Sequence, residues 1–292
     1  ADYQSLRAEQ EKLRINGTLM GIGISCFLDK SGTGNSANLA SRGGMHGGYE
    51  SAIVRVHSDG KVTLLSGSHS HGQGHDITYS QIAADRLGID IENITLIEGD
   101  TQMVPFGNGT WGSRSLTVGG SAIMIASDRV AERARKIATY MLECADEDLD
   151  YEQETWRVRG TDRAVTFSEV ADNAYHGALL PANEDGTVTP GLEETVFWEP
   201  QDTNDPQAMH LAVVLVDPET GTVTLRNYFT SDDCGMVINP MIVEGQIHGG
   251  IAQGIGQALI EQIIYNEDGQ SLTASFLDYA IPRAIHIPDL IL

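Results

Sequence analysis

The sequence predicts an α+β (mixed α/β) protein built from two similar β-hairpin–loop–helix units. Apolar and polar residues alternate in two stretches, 50–70 and 210–233, and a turn signal interrupts each stretch, as is typical of β-hairpins. Each hairpin is followed by a polar loop and a helical pattern, over 76–88 and 241–264. The stretches "AIVRVHSDGKVTLLSG" and "AVVLVDPETGTVTLRN" also share the order strand, turn, strand. This weak internal repeat indicates two related units.

Apolar spacing and turn residues predict the elements of the first half in order. Residues 3–15 form a charged stretch with apolar residues seven positions apart, which predicts an amphipathic helix. The apolar run 17–29 predicts a buried strand, and the Gly/Ser-rich stretch 30–48 predicts a loop. The pair Asp59-Gly60 predicts the first hairpin turn.

The helix over 76–88 is predicted to begin at Asp76 as its N-cap and to stop at Gly88. A strand at "NITLIEGD", a second glycine-rich loop at "VPFGNGTWGSRS" and a long helix over 117–146 follow. In the second half, a short helix is predicted at "TFSEVADNAYHG", and Glu219-Thr220-Gly221 predicts the second hairpin turn.

The same patterns predict three regions. Residues 1–150 form the first unit and residues 207–292 form the second. The stretch between them, 151–206, is acidic and irregular, and we interpret it as a connecting or inserted region. A chain of 292 residues is long enough for one large or two modest domains.

The charge of the chain excludes several classes of partner. Its 41 Asp and Glu residues oppose only 18 Lys and Arg, which gives a formal net charge of −23. Such a surface repels nucleic acid and anionic membranes, and no apolar run is long enough to span a bilayer. The three cysteines are far apart and odd in number, which argues against a disulfide framework. We expect a cytoplasmic protein that binds no nucleic acid.

The loop at 67–76, "GSHSHGQGHD", allows three interpretations. The side chains of His69, His71 and His75 could ligate a metal ion. Alternatively, the glycines at 72 and 74 would let the backbone approach a phosphate, which the N–H groups of the following helix would bind. The third interpretation is a plain tight turn with solvated histidines.

The other polar loops favour the anion-binding interpretation. The segment "GTWGSRS" at 109–115 carries three hydroxyls and one arginine immediately before a helix. In the second half, "CGMVINP" and "GGIAQGIGQALIE" supply further polar residues and glycines. The glycines could equally serve close helix packing, whereas Arg114 and Gln253 are costly to bury without partners.

Four stretches of the chain follow one another in the order known for one family. Together they resemble the molybdenum-binding subunit of the xanthine dehydrogenase/aldehyde oxidase family, and most closely the large subunit of the aerobic carbon monoxide dehydrogenase type. The resemblance runs from about residue 18 to the last residue. The stretches are "HGQGHDITYSQIAADRLGI", "EGDTQMVPFGNGTWGSRSLTVGGSAI", "DDCGMVINPMIVEGQIHGGIAQGIGQALIE" and "YNEDGQSLTASFLDYAIPRAIHIPD".

The resemblance implies a molybdenum cofactor, molybdopterin cytosine dinucleotide, bound by loops of the two units. In this family the metal is held by the pterin dithiolene, so no side chain of this chain is expected to ligate it. Trp111 and Gly112 would face the molybdenum and the substrate pocket. The residues that would hold the cofactor are Gly72, Gln73, Gly74, His75, Thr110, Gly112, Ser113, Arg114, Ser115, Asp233, Cys234, Asn239 and Gln253.

The implied reaction is the oxidative hydroxylation of an aldehyde, an N-heterocycle or a CO-type substrate. Electrons would pass to an iron–sulfur subunit and an FAD subunit, in a dimer of heterotrimers. The family's catalytic glutamate lies in a G-x-G-E motif that these 292 residues lack, so we expect it in the remaining part of the molybdenum subunit. The alternatives are a His-metal hydrolase and a non-catalytic cofactor-binding subunit of a split enzyme.

Overall fold

The computed structural model of the protein describes residues 2–177, 179–183 and 185–292. Helices and strands are mixed along these residues, which confirms the predicted fold class. The α-helices are α1 Tyr3–Ile15, α2 Ser36–Ser41, α3 His75–Leu87, α4 Ser121–Met141, α5 Phe167–His176 and α6 Pro240–Leu259. The strands are β1 Leu19–Leu28, β2 Glu50–Val56, β3 Val62–Ser66, β4 Ile94–Glu98, β5 Leu149–Glu152, β6 Thr155–Val158, β7 Ala164–Thr166, β8 Leu192–Trp198, β9 Gln207–Val216, β10 Val223–Asp233 and β11 Leu290–Ile291.

The chain forms two compact units, and one interrupts the other in sequence. Unit 1 combines Ala1–Asp29 with Pro206–Leu292, and unit 2 is Lys30–Asp205. The predicted boundary after residue 206 lies next to an observed one, whereas the predicted boundary after residue 150 falls inside unit 2. The division differs because pairing of β1 with β9 takes the N-terminal residues into the same unit as the C-terminal hairpin.

The core of unit 2 lies between one sheet and two helices. The sheet has the order β4-β3-β2-β8, in which only the β3–β4 pair is parallel. Helix α4 packs on β2, β8 and α3. Its buried face includes a row of small residues four positions apart, which lets the helix lie close to its neighbours. These residues are Ala122, Ala126, Val130, Ala134 and Ala138.

The region 151–206 is part of this core, in contrast to the predicted connecting region. It contains β6, β7, α5 and β8, and β5, β6 and β7 form a second, three-stranded sheet. Trp156, Phe167 and Leu192 are buried in the same apolar cluster as β2 and α4. The strands of the small sheet are only three or four residues long, too short for an alternating pattern to reveal them.

Unit 1 is built around the sheet β1-β9-β10-β11. Helix α1 covers part of one face, where Leu6 and Leu13 pack near Met20, Leu211 and Val213. The apolar run over 17–29 forms the predicted strand, but β1 is an edge strand and most of its residues are exposed. The expectation that this strand is buried is therefore wrong.

Both predicted hairpins are present, β2–β3 in unit 2 and β9–β10 in unit 1. Gly60 has the positive φ of 86° that the first turn requires. The stretch 30–48, predicted as loop only, contains α2, and the long helix predicted over 117–146 is α4 preceded by a π-helical segment, Ser115–Gly120. Among the described residues, no helix is long and apolar enough to cross a membrane.

Candidate functional site

Two glycine-rich loops of unit 2 lie side by side because the strands that precede them are parallel neighbours. β3 and β4 end together, with Ser66 paired to Glu98. The loop that follows β3 (67–74, the first loop) leads to α3, and the loop that follows β4 (99–114, the second loop) leads towards α4. In sheets with such parallel pairs, loops at the carboxyl ends of the strands are the usual place for a ligand.

Hydrogen bonds connect the two loops directly. The Gly109 amide donates to the Gly67 carbonyl at 3.2 Å, and the His69 amide donates to Thr110 Oγ1 at 3.0 Å. Thr110 Oγ1 also lies 2.9 Å from Ser115 Oγ. A Cβ atom on Gly107 would lie 2.2 Å from the Gly67 carbonyl oxygen, so this close approach requires glycine.

The first loop presents open backbone N–H groups at the start of α3. Gly72 and Gly74 have φ values of 92° and 78°. Gly74 is the N-cap of α3 and supplies no side-chain cap, which corrects the prediction of Asp76 as N-cap. The first amide with an intrahelical acceptor is that of Thr78, which donates to the Gly74 carbonyl. The earlier amides of α3 and the helix dipole make this terminus suitable for an anion.

Gln73 closes the first loop on itself. Its Oε1 accepts a hydrogen bond from the His71 amide at 2.5 Å, and its Nε2 lies 3.5 Å from the His69 carbonyl oxygen. The second contact is too long to contribute much. The Gln73 side chain is half-buried, so its amide group lies at the surface of the loop.

The three histidines of the first loop do not converge. The exposed rings of His69 and His71 are 5.4 Å apart. His75 is buried, and its Nδ1 lies 2.9 Å from Glu98 Oε1. Within the described ranges, no group of three or more His, Cys, Asp or Glu side chains is arranged as a metal site. The geometry therefore does not favour the His-metal hydrolase.

The second loop exposes Trp111, Gly112 and Ser113 while it buries Arg114 and Ser115. Gly112 and Ser113 both have positive φ, 57° and 52°, so the chain makes a sharp bend there. Trp111 is 42% exposed, and its Nε1 donates to the Asn108 carbonyl at 3.0 Å. The bend thus places one aromatic ring at the surface next to the glycine.

Arg114 is fully buried and is paired with Glu50, also fully buried. Its Nη1 donates to Glu50 Oε2 at 2.5 Å and to the Gly109 carbonyl at 2.8 Å. Its Nη2 donates to the Tyr49 carbonyl at 2.6 Å. These contacts favour a role in holding the second loop, instead of the direct cofactor contact that the resemblance implies. Within the described part of the chain, Arg114 Nε has no hydrogen-bond partner.

Two residues of this region escaped the sequence analysis, Glu50 and Tyr79. Glu50 begins β2, and nothing near it in sequence indicates a buried charge. Tyr79 lies on the buried face of α3, and its hydroxyl contacts Ser68 in the first loop and Ser115, the residue directly after the second loop. Burial raises the pKa of Tyr79 well above its ordinary value, so the hydroxyl stays protonated. Only the helical spacing of apolar residues could have suggested this position.

A cavity of about 480 Å³ opens between the ends of the two loops. Its walls include Ser68 and His69 from the first loop and Asp100, Phe106 and Asn108 from the second. Asp100 Oδ1 accepts hydrogen bonds from two backbone amides of its own turn. The cavity therefore combines hydroxyl and carboxylate groups with an aromatic wall.

The remaining predicted residues belong to unit 1. Asp233 Oδ1 accepts from the Gly235 amide at 3.1 Å, and Cys234 is an exposed free thiol. Asn239 is the N-cap of α6, where its Oδ1 accepts from the Ile242 amide at 3.1 Å. Gln253 lies on an exposed part of the same helix.

Comparison with known proteins identifies the family. A family model described as "Molybdopterin cofactor-binding domain" matches residues 1–288. The chain belongs to this molybdopterin cofactor-binding family. It is 40% identical, over 98% of its length, to the carbon monoxide dehydrogenase large chain of Hydrogenophaga pseudoflava, and it spans 35% of that relative. The chain thus covers about a third of the length of the relatives it matches.

Solved structures agree with the family. The chain matches a reconstituted CO dehydrogenase from Oligotropha carboxidovorans with a TM-score of 0.87 and 36% identity, over 99% of this chain and 36% of that one. It matches quinoline 2-oxidoreductase from Pseudomonas putida 86 with a TM-score of 0.87 and 37% identity, with the same coverage. The fold is therefore that of a domain of the molybdenum-hydroxylase large subunit.

Proposed function

We propose that this chain is the cofactor-binding part of the large subunit of a molybdenum hydroxylase. The observation that carries the proposal is a pair of glycine-rich loops that are hydrogen-bonded to each other beside the N-terminus of α3. They occur in a chain of the molybdopterin cofactor-binding family. The proposed cofactor is molybdopterin cytosine dinucleotide. When bound, it supplies an oxidising metal centre at which a carbon substrate gains an oxygen atom.

The first loop fits an anionic dinucleotide. The φ values of Gly72 and Gly74 leave the backbone without side chains where a phosphate would approach. The first-turn amides of α3, including that of His75, have no intrahelical acceptor. We propose that these amides bind phosphate oxygens and that the Gln73 side chain turns from the His71 amide to the cofactor. The His75 ring itself is held by Glu98.

The second loop is proposed to lie along the pterin. Ser113 and the backbone of Gly112 are exposed at the bend. Trp111 would form one wall of the substrate pocket. Thr110 accepts a hydrogen bond from the His69 amide of the first loop and is itself in contact with Ser115. Arg114 would act mainly by fixing the second loop through its buried pair with Glu50.

Unit 1 is proposed to contribute Asp233, Cys234 and Asn239 at the nucleotide and Gln253 at the pterin. Cys234 and Gln253 are exposed in this unit. Asn239 also begins α6, whose N-terminus is a second place suited to an anion. We assign no catalytic residue in this chain and propose that the catalytic glutamate lies in the remaining part of the molybdenum subunit.

For the whole protein we propose the oxidative hydroxylation of an aldehyde, an N-heterocycle or a CO-type substrate. The relatives named above include both a CO dehydrogenase and a quinoline oxidoreductase. Electrons would leave through an iron–sulfur subunit and an FAD subunit, in a cytoplasmic dimer of heterotrimers. The three free cysteines agree with a reducing compartment.

Elemental analysis of the purified native complex tests the proposal. We expect about one molybdenum atom per chain together with several iron atoms, and release of cytidine monophosphate on acid hydrolysis. Stoichiometric zinc without molybdenum would overturn the proposal in favour of a His-metal enzyme. Assays with CO, an aldehyde and a N-heterocycle then identify the substrate class; molybdenum without any turnover would indicate a non-catalytic cofactor-binding subunit.

The Gln73→Ala variant tests the first loop. We expect it to retain less molybdenum than the wild type during dialysis, because the amide group that would bind the cofactor is gone. The control is Gln102→Ala, since Gln102 is exposed on the neighbouring loop. Equal retention in both variants would remove Gln73 from the proposed site.

A further inference from the structure

Tyr79 belongs to neither cofactor loop, yet its hydroxyl joins the first loop to the residue that directly follows the second. The side chain is completely buried on α3, and its ring stacks on His75 at 4.7 Å. The hydroxyl oxygen lies 3.1 Å from Ser68 Oγ in the first loop and 2.7 Å from the carbonyl oxygen of Ser115, directly after the second loop.

The chemistry of the three groups fixes the direction of these hydrogen bonds. A tyrosine hydroxyl carries one proton, and the Ser115 carbonyl can only accept. Tyr79 therefore donates to Ser115, and the Ser68 hydroxyl donates to Tyr79. Ser68 is 1% exposed and Ser115 is 8% exposed, so bulk water does not compete with this chain of hydrogen bonds.

The space around the Tyr79 hydroxyl is closed by Gly119. A Cβ atom on Gly119 would lie 2.5 Å from Ser68 Oγ and 2.6 Å from the Tyr79 hydroxyl oxygen. Only glycine leaves room for both hydroxyls at this point. Gly119 lies in the π-helical segment Ser115–Gly120 that leads into α4, a type of distortion that is frequent near functional sites.

We propose that Tyr79 is a positioning residue whose hydroxyl sets the spacing between the two loops that hold the molybdenum cofactor. The inference rests on the proposed function of these loops. The direct connections between the loops run from Gly109 to Gly67 and from His69 to Thr110. The Ser68–Tyr79–Ser115 hydrogen bonds add a third connection, from the first loop just after β3 to the start of the π-helical segment that follows the second loop.

The Tyr79→Phe variant of the native complex tests the proposal. It keeps the ring on His75 and removes only the hydroxyl, so the Ser115 carbonyl loses a buried donor. We expect molybdenum to be lost about tenfold faster during dialysis, which corresponds to about 1.4 kcal/mol. We also expect faster hydrogen exchange in the peptides 66–72 and 109–118, and a lower kcat with little change in KM.

The matched control is Tyr151→Phe. The Tyr151 hydroxyl also donates to a backbone carbonyl, that of Gly88 at 3.1 Å, and its ring packs against Trp156 in a tilted arrangement. Because it touches neither loop, its loss should leave molybdenum retention and the exchange of both peptides unchanged. A second variant, Ser68→Ala, keeps the bond from Tyr79 to Ser115, and we expect it to show a smaller change in the same direction.

The outcomes separate this inference from the proposed function. A wild-type complex without molybdenum overturns the proposed function. A wild-type complex with molybdenum, whose Tyr79→Phe variant keeps its metal, its kcat and its exchange rates, overturns the role of Tyr79. Equal loss in Tyr79→Phe and Tyr151→Phe would also overturn it, since general destabilisation would then explain the effect.

Discussion

Replacement of Arg114 by methionine should destabilise unit 2 far more than the loss of an ordinary ion pair. The side chains of Arg114 and Glu50 are both 0% exposed. Methionine keeps much of the volume but leaves the Glu50 carboxylate buried without its counter-charge. It also leaves the Gly109 and Tyr49 carbonyls without their guanidinium donors.

We expect Arg114→Met to lower the free energy of unfolding by about 3–5 kcal/mol, the range found when one partner of a buried ion pair is removed. The matched control is Arg55→Met, because Arg55 pairs with Glu193 at the surface with 36% and 41% of the two side chains exposed. Solvent screens this pair, so its loss should cost only about 0.2–1 kcal/mol.

Hydrogen exchange of the β2 and β3 amides at increasing urea measures the stability of unit 2 within the native protein. The double variant Glu50→Gln/Arg114→Met should recover part of the loss, since a neutral amide is cheaper to bury than a carboxylate. If Arg114→Met lowers the free energy of unfolding no more than Arg55→Met does, the buried ion pair does not stabilise unit 2. The assignment of Arg114 as the support of the second loop is then wrong.

Three further predictions concern single positions. Gly88→Ala should destabilise α3 by about 2 kcal/mol, because φ is +65° and the new Cβ would lie 2.5 Å from a Tyr151 ring atom. The control is Gly160→Ala, which has φ +75° but no neighbour within 4 Å and should lose about half as much stability. Equal losses of stability in the two variants would contradict the clash with Tyr151. Thr166→Ala removes the N-cap of α5 and should lower the stability of that helix by about 1 kcal/mol in hydrogen exchange; an unchanged α5 would argue against the cap. Burial raises the pKa of Tyr79, so above about pH 10 the unfolded chain loses a proton that the folded chain keeps, and the free energy of unfolding falls with pH. Tyr79→Phe should make this fall less steep by about 1.4 kcal/mol per pH unit. Identical alkaline unfolding curves for variant and wild type would refute the prediction.

Elements governed by local chemistry could be predicted from the sequence. The β2–β3 hairpin follows from alternation around Asp59-Gly60, and α3 stops at Gly88, whose φ of 65° suits glycine. The start of α3 shows the limit of such reasoning. Asp76 has the side chain of a good N-cap, but Gly74 adopts the left-handed conformation one residue before the helix and takes that position.

Elements governed by distant contacts could not be predicted. The strands β5, β6 and β7 are too short for periodicity and exist because they pair with one another. The apolar run in β1 reads as buried, whereas its burial depends on which elements cover an edge strand. The site shows the same division, since the glycines of the first loop are visible in the sequence, but the pairing of Arg114 with Glu50 joins residues 64 positions apart.

The interruption of unit 1 by unit 2 has a consequence for the order of folding. Leu28 of β1 pairs with Gln207 of β9, and closing a flexible loop of about 180 residues costs about 4–5 kcal/mol. Within unit 2, Ser31 and Asn204 exchange backbone hydrogen bonds at 2.7 and 2.9 Å, so folding of this unit brings both of its ends together. Strand β1 leaves the ribosome before β9, and it gains this partner only after roughly 180 further residues have been made. Unit 2 should therefore fold before unit 1, and the sheet of unit 1 should be the last part of this chain to acquire protection.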